Sequence, residues 1–330
     1  MKKIIMNNTK RLDYIDRAKG FLILLVVIGH IWQAGPLFST IYVFHMPAFF
    51  VISGMLLGVT KSYEKSFFTF VRRRVFSFGI PFLFIEFLGI LTNIIRFGVT
   101  LSWKGYLFNT IQFQFNDPNL WFIVDLFLVE VFFVLLLRVV RNRWAICALI
   151  AILFFASFFL KSENAYLRTL TASCKYLPYF AFGFYGRTIL EKRSSLITAA
   201  SFAAVVAVGV FLGTRGSELT RKNLVIYTCG AVGTYFVLQI AKLRYPALFD
   251  KALSAAGRHS IIIYGTHHII YATVGLFLGV QDYTSTPIGA GLIMLAVVCI
   301  LEIPIIYIIQ RWLPFLEGKH RRKKMSETRN

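Results

Sequence analysis

The chain has 330 residues, 57% of them hydrophobic and only 15% charged, with a mean hydropathy of +0.66. A water-soluble domain of that length cannot cover so apolar a composition with polar surface, so a bilayer is the expected solvent. The formal net charge of +21 invites a nucleic-acid reading, but Lys and Arg of a multi-span protein gather in cytoplasmic connections, so the position of the charge decides.

Near the start, no short apolar stretch is followed by a small-residue cleavage site, and the first hydrophobic run is expected to be a retained helix rather than a signal peptide. Runs able to cross roughly 30 Å of hydrocarbon fall at 18–34, 41–59, 76–95, 120–137, 144–160, 176–189, 196–212, 224–240, 260–280 and 288–309. These predict an all-α, polytopic integral membrane protein of about ten transmembrane helices. The segment 96–119 alternates aromatic and polar residues and is expected to lie partly helical on the membrane surface, and 244–258 reads as a second short interfacial helix.

Under this count one side of the membrane carries only Arg96, Lys104, Lys161, Arg168, Lys175, Arg215, Arg221 and Lys222, and the rest of the 36 Lys and Arg fall on the other. The positive-inside rule then puts both termini in the cytoplasm, with basic tails at 1–17 and 318–330 flanking a single transmembrane domain over 1–330. This asymmetry absorbs most of the net charge and leaves no reason to expect a nucleic-acid partner. Cys147, Cys174, Cys229 and Cys299 have no spacing that reads as a disulfide framework or a zinc site, and no metal is expected. Small-residue pairs at Gly209/Gly213 and Gly275/Gly279 read as helix-packing contacts.

Ionisable residues inside spans cost roughly 2.5–3.5 kcal/mol each even on lenient insertion scales, so each is a candidate site residue. In the first span Lys19 and His30 lie eleven positions apart, which puts them on one helix face roughly 16 Å apart along the axis. His30 fits a general base, or a transient acyl carrier, and a histidine capping a helix contact is the competing reading. His45 opens the second span beside Pro47, where backbone groups freed by the proline need partners, so the residue reads as structural or supporting before it reads as catalytic. Arg72, Arg73 and Arg74 precede the third span, where the phosphates of a nucleotide-bearing donor would arrive, or where charge simply fixes orientation. Glu86, Asp125, Glu130 and Glu302 also fall within spans. Asp125, one turn after Trp121, is the preferred partner for a histidine or a substrate hydroxyl. In the ninth span Tyr264 and His267 share a face; His267 is the better placed of the two histidines there to face a cavity, and a packing or hydrogen-bonding role is the competing reading. There is no P-loop and no dinucleotide-binding glycine pattern.

Several stretches resemble the membrane-bound acyltransferase family 3, in particular its branch similar to fucose 4-O-acetylases and other surface-glycan acetyltransferases. Tyr14-Ile15-Asp16-Arg17-Ala18-Lys19-Gly20 through Val27-Ile28-Gly29-His30 looks like the family's opening signature, a cation, ten residues and a histidine. Phe44-His45-Met46-Pro47 through Ser53-Gly54 is similar to its second-span motif, with weaker likeness at Arg73-Arg74, Leu120-Trp121-Phe122, Ser260 to His267 and Pro314-Phe315-Leu316. The family's paired arginines before the third span are only partly present, since three residues after Arg74 this chain has Ser77 and not a second arginine.

The resemblance implies that His30 is catalytic. It implies transfer of an acyl group, usually acetyl, from cytosolic acyl-CoA to a sugar hydroxyl of a lipid-linked or polymeric glycan outside the bacterial cytoplasmic membrane. Acetyl-CoA is then a donor and no cofactor is held permanently. The combined expectation is a site of His30, Lys19 and Asp125 for catalysis. Lys19, Arg73 and Arg74 would hold donor phosphates, and His45, Trp121 and His267 would contact substrate. A cavity reaching from the cytoplasmic face to His30 is required. A transporter or export partner for a surface polysaccharide would need the same polar interior without bond chemistry.

Overall fold

The computed structural model describes residues 12–98, 103–160, 162–215 and 224–317. The expected tails at 1–17 and 318–330 lie outside the described residues except for 12–17, as do Lys161, Arg221 and Lys222. The described chain is all-α. Its helices are α1 (Asp13–Ile31), α2 (Gly35–Tyr42), α3 (His45–Thr60), α4 (Phe67–Phe97), α5 (Trp103–Ile111), α6 (Trp121–Val139) and α7 (Arg143–Phe159), followed by α8 (Ala165–Tyr185), α9 (Arg187–Glu191), α10 (Ser195–Arg215), α11 (Leu224–Ile240), α12 (Ala247–Arg258), α13 (Ser260–Phe277) and α14 (Ile288–Trp312).

Each of the ten apolar runs coincides with a helix or helix pair. Five helical stretches are long and apolar enough to cross a membrane by length and composition: Gly35–Thr60, Phe67–Phe97, Ser195–Thr214, Ser260–Phe277 and Ile288–Trp312. The chain is thus a polytopic membrane protein. The other helices are shorter or carry charge: α1 opens on Asp13, Asp16, Arg17 and Lys19, α6 contains Asp125, Glu130 and Arg138, and α7 is apolar but has 17 residues. Along α14, Ile288, Leu292, Ile300 and Ile303 are exposed, a pattern that only a lipid exterior makes favourable.

Boundaries differ from the sequence expectation where caps decide them. The third span begins nine residues early, because Ser66 caps α4 by accepting a hydrogen bond from the Thr69 backbone N–H. Arg72, Arg73 and Arg74 therefore project from the second turn of a helix, not from a loop before it. The short helix expected in 244–258 is α12, with Pro246 as its N-cap residue. Gly279 is no packing glycine: it turns the chain after α13 with φ 69° and would meet nothing within 4 Å as alanine. Gly209 and Gly213 do pack, against Thr40 and Pro36 of α2.

α1 lies inside the bundle, against α12, α13, α11 and α3. Two close crossings hold the frame. A Cβ on Gly54 of α3 would lie 2.0 Å from the Phe180 carbonyl oxygen of α8, and one on Gly183 of α8 would lie 1.9 Å from that of Val51. At the α1/α12 crossing, a Cβ on Gly20 would fall 2.1 Å from the Leu253 oxygen and one on Gly257 1.7 Å from the Asp16 oxygen. Without a strong hydrophobic drive between helices in lipid, such backbone contact is what maximises dispersion. Beside it, Arg17 Nη1 pairs with Asp250 at 2.7 Å. The Tyr14 hydroxyl donates to Glu191 at 2.7 Å, and Arg187 Nε donates to the same carboxylate at 2.8 Å. Burial opposes the charge on Glu191, but these donors hold its carboxyl below the usual range.

Candidate active site

A cavity of about 1060 Å³ opens between α1, α3, α4, α6 and the start of α13. Its mouth is cationic, with Lys65, Arg72, Arg73, Arg74 and Arg258 on the wall and Lys19 projecting from α1. Its inner end is apolar and aromatic, formed by Ile23, Phe49, Phe122, Ile123 and Tyr264. A gradient from guanidinium to aromatic surface suits a ligand with a polyanionic head and a neutral arm.

The arginines are not equivalent. Arg74 Nε forms an ion pair with Glu130 of α6 at 2.6 Å and its guanidinium lies over Phe70. Arg73 has no carboxylate partner among the described residues. Glu130 is therefore the counter-ion of Arg74, which explains a carboxylate in the middle of an apolar helix.

At the far end of α1, His30 sits in a nest of rings. Its centroid is 5.3 Å from His267, 6.4 Å from Tyr271 in a stacked arrangement and 6.4 Å from Tyr42. His45 lies next to this group, 4.7 Å from Tyr42, and its Nδ1 donates to the Ile41 carbonyl at 2.9 Å. His267 Nδ1 likewise donates to the Ile263 carbonyl at 2.8 Å. One turn back on α13, Tyr264 reaches the inner end of the cavity, its ring 6.3 Å from His267 and its hydroxyl donating to the Asn119 carbonyl. His30 is not among the residues lining the cavity; Phe49, Phe122 and Tyr264 line its inner end, with Phe122 in ring contact with each of the other two at 5.6 Å, and Tyr264 stands one helical turn before the imidazoles of α13.

The remaining expected site residues separate. Asp125 is buried and accepts from Ser173 Oγ of α8 at 2.7 Å, so its described partner is a serine and not a histidine. Trp121 stacks on Tyr176 of α8 at 5.6 Å. Glu302 of α14 accepts from Thr266 at 2.7 Å and ties α14 to α13.

One acidic residue near the histidines escaped the sequence reading. Asp117 is 1% exposed, and its Oδ2 lies 3.4 Å from His268 Nδ1. It belongs to the segment expected to lie on the membrane surface, which among the described residues holds the end of α4, α5 and the start of a 3-10 turn at Pro118–Leu120. The stretch after α5 folds inward because Glu86 of α4, itself 0% exposed, draws donors to it. Glu86 accepts from the Asn116 backbone at 2.9 Å, the Asn116 side chain at 2.8 Å, the Asp117 backbone at 3.3 Å and Thr110 at 3.1 Å. The available signal was Glu86 itself, since a carboxylate within an apolar run demands donors. Glu86→Ala strands buried N–H groups and is expected to cost about 3 kcal/mol, read as a lower melting temperature in detergent. Glu86→Gln keeps an acceptor oxygen and loses less, and equal losses would refute the anchoring role.

Among the described residues no group of three or more His, Cys, Asp or Glu side chains is placed to hold a metal ion.

These features define a class: a helical membrane protein that keeps imidazoles inside its bundle and a polyanion-sized cavity leading toward them. Residues 12–309 match the sequence model of the acyltransferase domain of acyltransferase family 3, which covers nearly the whole chain. The chain belongs to that family. It is similar over short stretches to nodulation protein NolL of Mesorhizobium japonicum, 40% identical over 88 residues covering 23% of each chain. NolL of Sinorhizobium fredii is 41% identical over 80 residues, covering 21% of this chain and 22% of that one. The alignments thus span less than a quarter of those relatives' length. No solved structure matches the chain.

Proposed function

We propose that the protein transfers an acetyl or related acyl group from cytosolic acyl-CoA to a hydroxyl of a cell-surface or lipid-linked glycan, with His30 as general base or acyl carrier. In this reading about ten helices cross a bacterial cytoplasmic membrane, both termini face the cytoplasm, and the cationic mouth opens inward. The observation that carries it is α1 itself, which offers Lys19 to the cavity at one end and His30 to a ring cluster at the other. Lys19 and Arg73 bind donor phosphates, and the pantetheine arm follows the apolar inner end. Rotation of Tyr264 or Phe122 opens the last turn toward His30. The acceptor oxygen attacks the thioester carbonyl carbon, its proton passes to the imidazole, the C–S bond breaks, and the thiolate leaves and recovers a proton. The glycan acceptor and the donor's identity come from the family likeness.

The test is purified protein in nanodiscs with radiolabelled acetyl-CoA and a membrane-glycan extract. Labelled glycan is the expected product. Glycan movement across the bilayer without label in the glycan would replace this reading with an export role.

The two arginines should divide in that assay. Arg73→Ala is expected to raise the apparent KM for acetyl-CoA about tenfold with little change in kcat. Arg74→Ala leaves Glu130 buried and unpaired and costs about 3 kcal/mol of stability, visible as lost yield and an earlier melting transition. Equal KM effects without any stability difference would remove the distinction.

A further inference from the structure

His267 carries an unexplained polar atom. The residue is 0% exposed, and its Nδ1 is committed to the Ile263 carbonyl, which can only accept, so Nδ1 holds the proton. In the neutral ring Nε2 then carries the lone pair, and that atom is buried with no hydrogen-bond partner among the described residues. A buried acceptor left without a donor is costly and needs an explanation. The ring beside it is His30, 5.3 Å away between centroids and tilted by 44°. His30 itself contacts the rings of His267, Tyr271 and Tyr42 and makes no side-chain hydrogen bond among the described residues, so it is the neighbouring ring with a nitrogen to offer His267 Nε2.

Neighbouring histidines do not share this geometry. His45 has the same Nδ1 bond, but its ring lies against Tyr42. His268 turns its Nδ1 toward Asp117. Among the described residues His267 alone combines a backbone-held Nδ1 with a ring contact to His30.

We propose that His267 is the positioning residue for His30: its fixed Nε2 accepts the His30 N–H and so presents the other His30 nitrogen, with its lone pair, to the acceptor hydroxyl. This rests on His30 being the base. The hydroxyl proton moves onto the free His30 nitrogen as the oxygen bonds to the acyl carbon, and the imidazolium that forms is held by the His267 lone pair. The same proton then serves the departing thiolate, so no further reagent is needed. An imidazole thus does here what a carboxylate does behind the base of a hydrolytic triad.

The test uses the full chain in nanodiscs. His267→Asn keeps a donor for the Ile263 carbonyl but is too short to reach His30, whereas His267→Gln sets an amide oxygen near the Nε2 position. The Asn variant is expected to lose about a hundredfold in kcat, with the KM for acetyl-CoA and for acceptor unchanged and with normal gel-filtration behaviour. The Gln variant should stay within about tenfold of the wild type. The double variant His30→Ala/His267→Asn should be no slower than His30→Ala alone, because the pair acts as a unit. Wild-type turnover in His267→Asn, a Gln variant as slow as Asn, or a further hundredfold loss in the double variant would each overturn the assignment. If His30→Ala is inactive while His267→Asn is not, the positioning role alone fails. If His30→Ala turns over normally, the catalytic reading beneath it fails.

Discussion

Replacing His30 with alanine is expected to slow acyl transfer by about a thousandfold, within the range of about 10²–10⁴ for loss of a positioned general base. That corresponds to about 4 kcal/mol of transition-state stabilisation. The loss should fall on kcat, because His30 is not among the residues lining the cavity and its cationic mouth. Donor affinity, measured with a non-hydrolysable acyl-CoA analogue, should therefore be unchanged. Removing the ring also removes contacts with Tyr271 and Tyr42, so the melting temperature should drop by a few degrees, roughly what about 1 kcal/mol produces in a chain of this size. His30→Gln fills more of that space and separates the two effects: it should melt like the wild type and still be inactive. A His30→Gln protein that labels glycan at the wild-type rate would remove this imidazole from the chemistry.

The largest structural effect is expected at Gly257. An added Cβ would lie 1.7 Å from the Asp16 carbonyl oxygen and 2.8 Å from the Gly20 backbone nitrogen. The opposing atoms are backbone and cannot rotate away, so α1 and α12 would have to separate along their contact. Overpacking of this kind costs about 3 kcal/mol for alanine, and Gly257→Leu should leave no correctly folded protein in the membrane fraction. Catalysis should suffer even in survivors. Lys19 neighbours Gly20 and Arg258 neighbours Gly257, and both cations line the cavity mouth. Gly289→Ala is the control, because its Cβ would meet nothing within 4 Å, and it should be neutral or gain up to about 1 kcal/mol. Fluorescence-detected gel filtration reads both outcomes, and a monodisperse Gly257→Leu protein would show that the crossing tolerates separation.

What was legible in the chain follows from how lipid constrains it. Backbone groups in hydrocarbon must bond within their own helix, so every span announces itself as an apolar run, and the ten runs all fall on helices. The same solvent makes each interior charge conspicuous, which is why Lys19, His30, Glu86, Asp125, Glu130 and His267 could be singled out before any geometry. The role given to His30 came from family likeness, since imidazole chemistry and helix contact looked equally natural from the residue alone.

The partners of those groups were decided only by tertiary packing. Helical periodicity fixes the angle at which Asp125 leaves α6, but the Gly54 and Gly183 crossing sets how α8 approaches α3, and the packing of α8 against α6 presents Ser173, not a histidine, to that carboxylate. Nothing local marks 112–117 as an inward-folded stretch, because two of the donors it offers to Glu86 are backbone N–H groups that every residue but proline carries, and the other is a single Asn116 amide. A side chain's type and depth can be read along one strand of sequence. The group it meets depends on the rotation and separation of a second helix, to which residues distant in sequence contribute together.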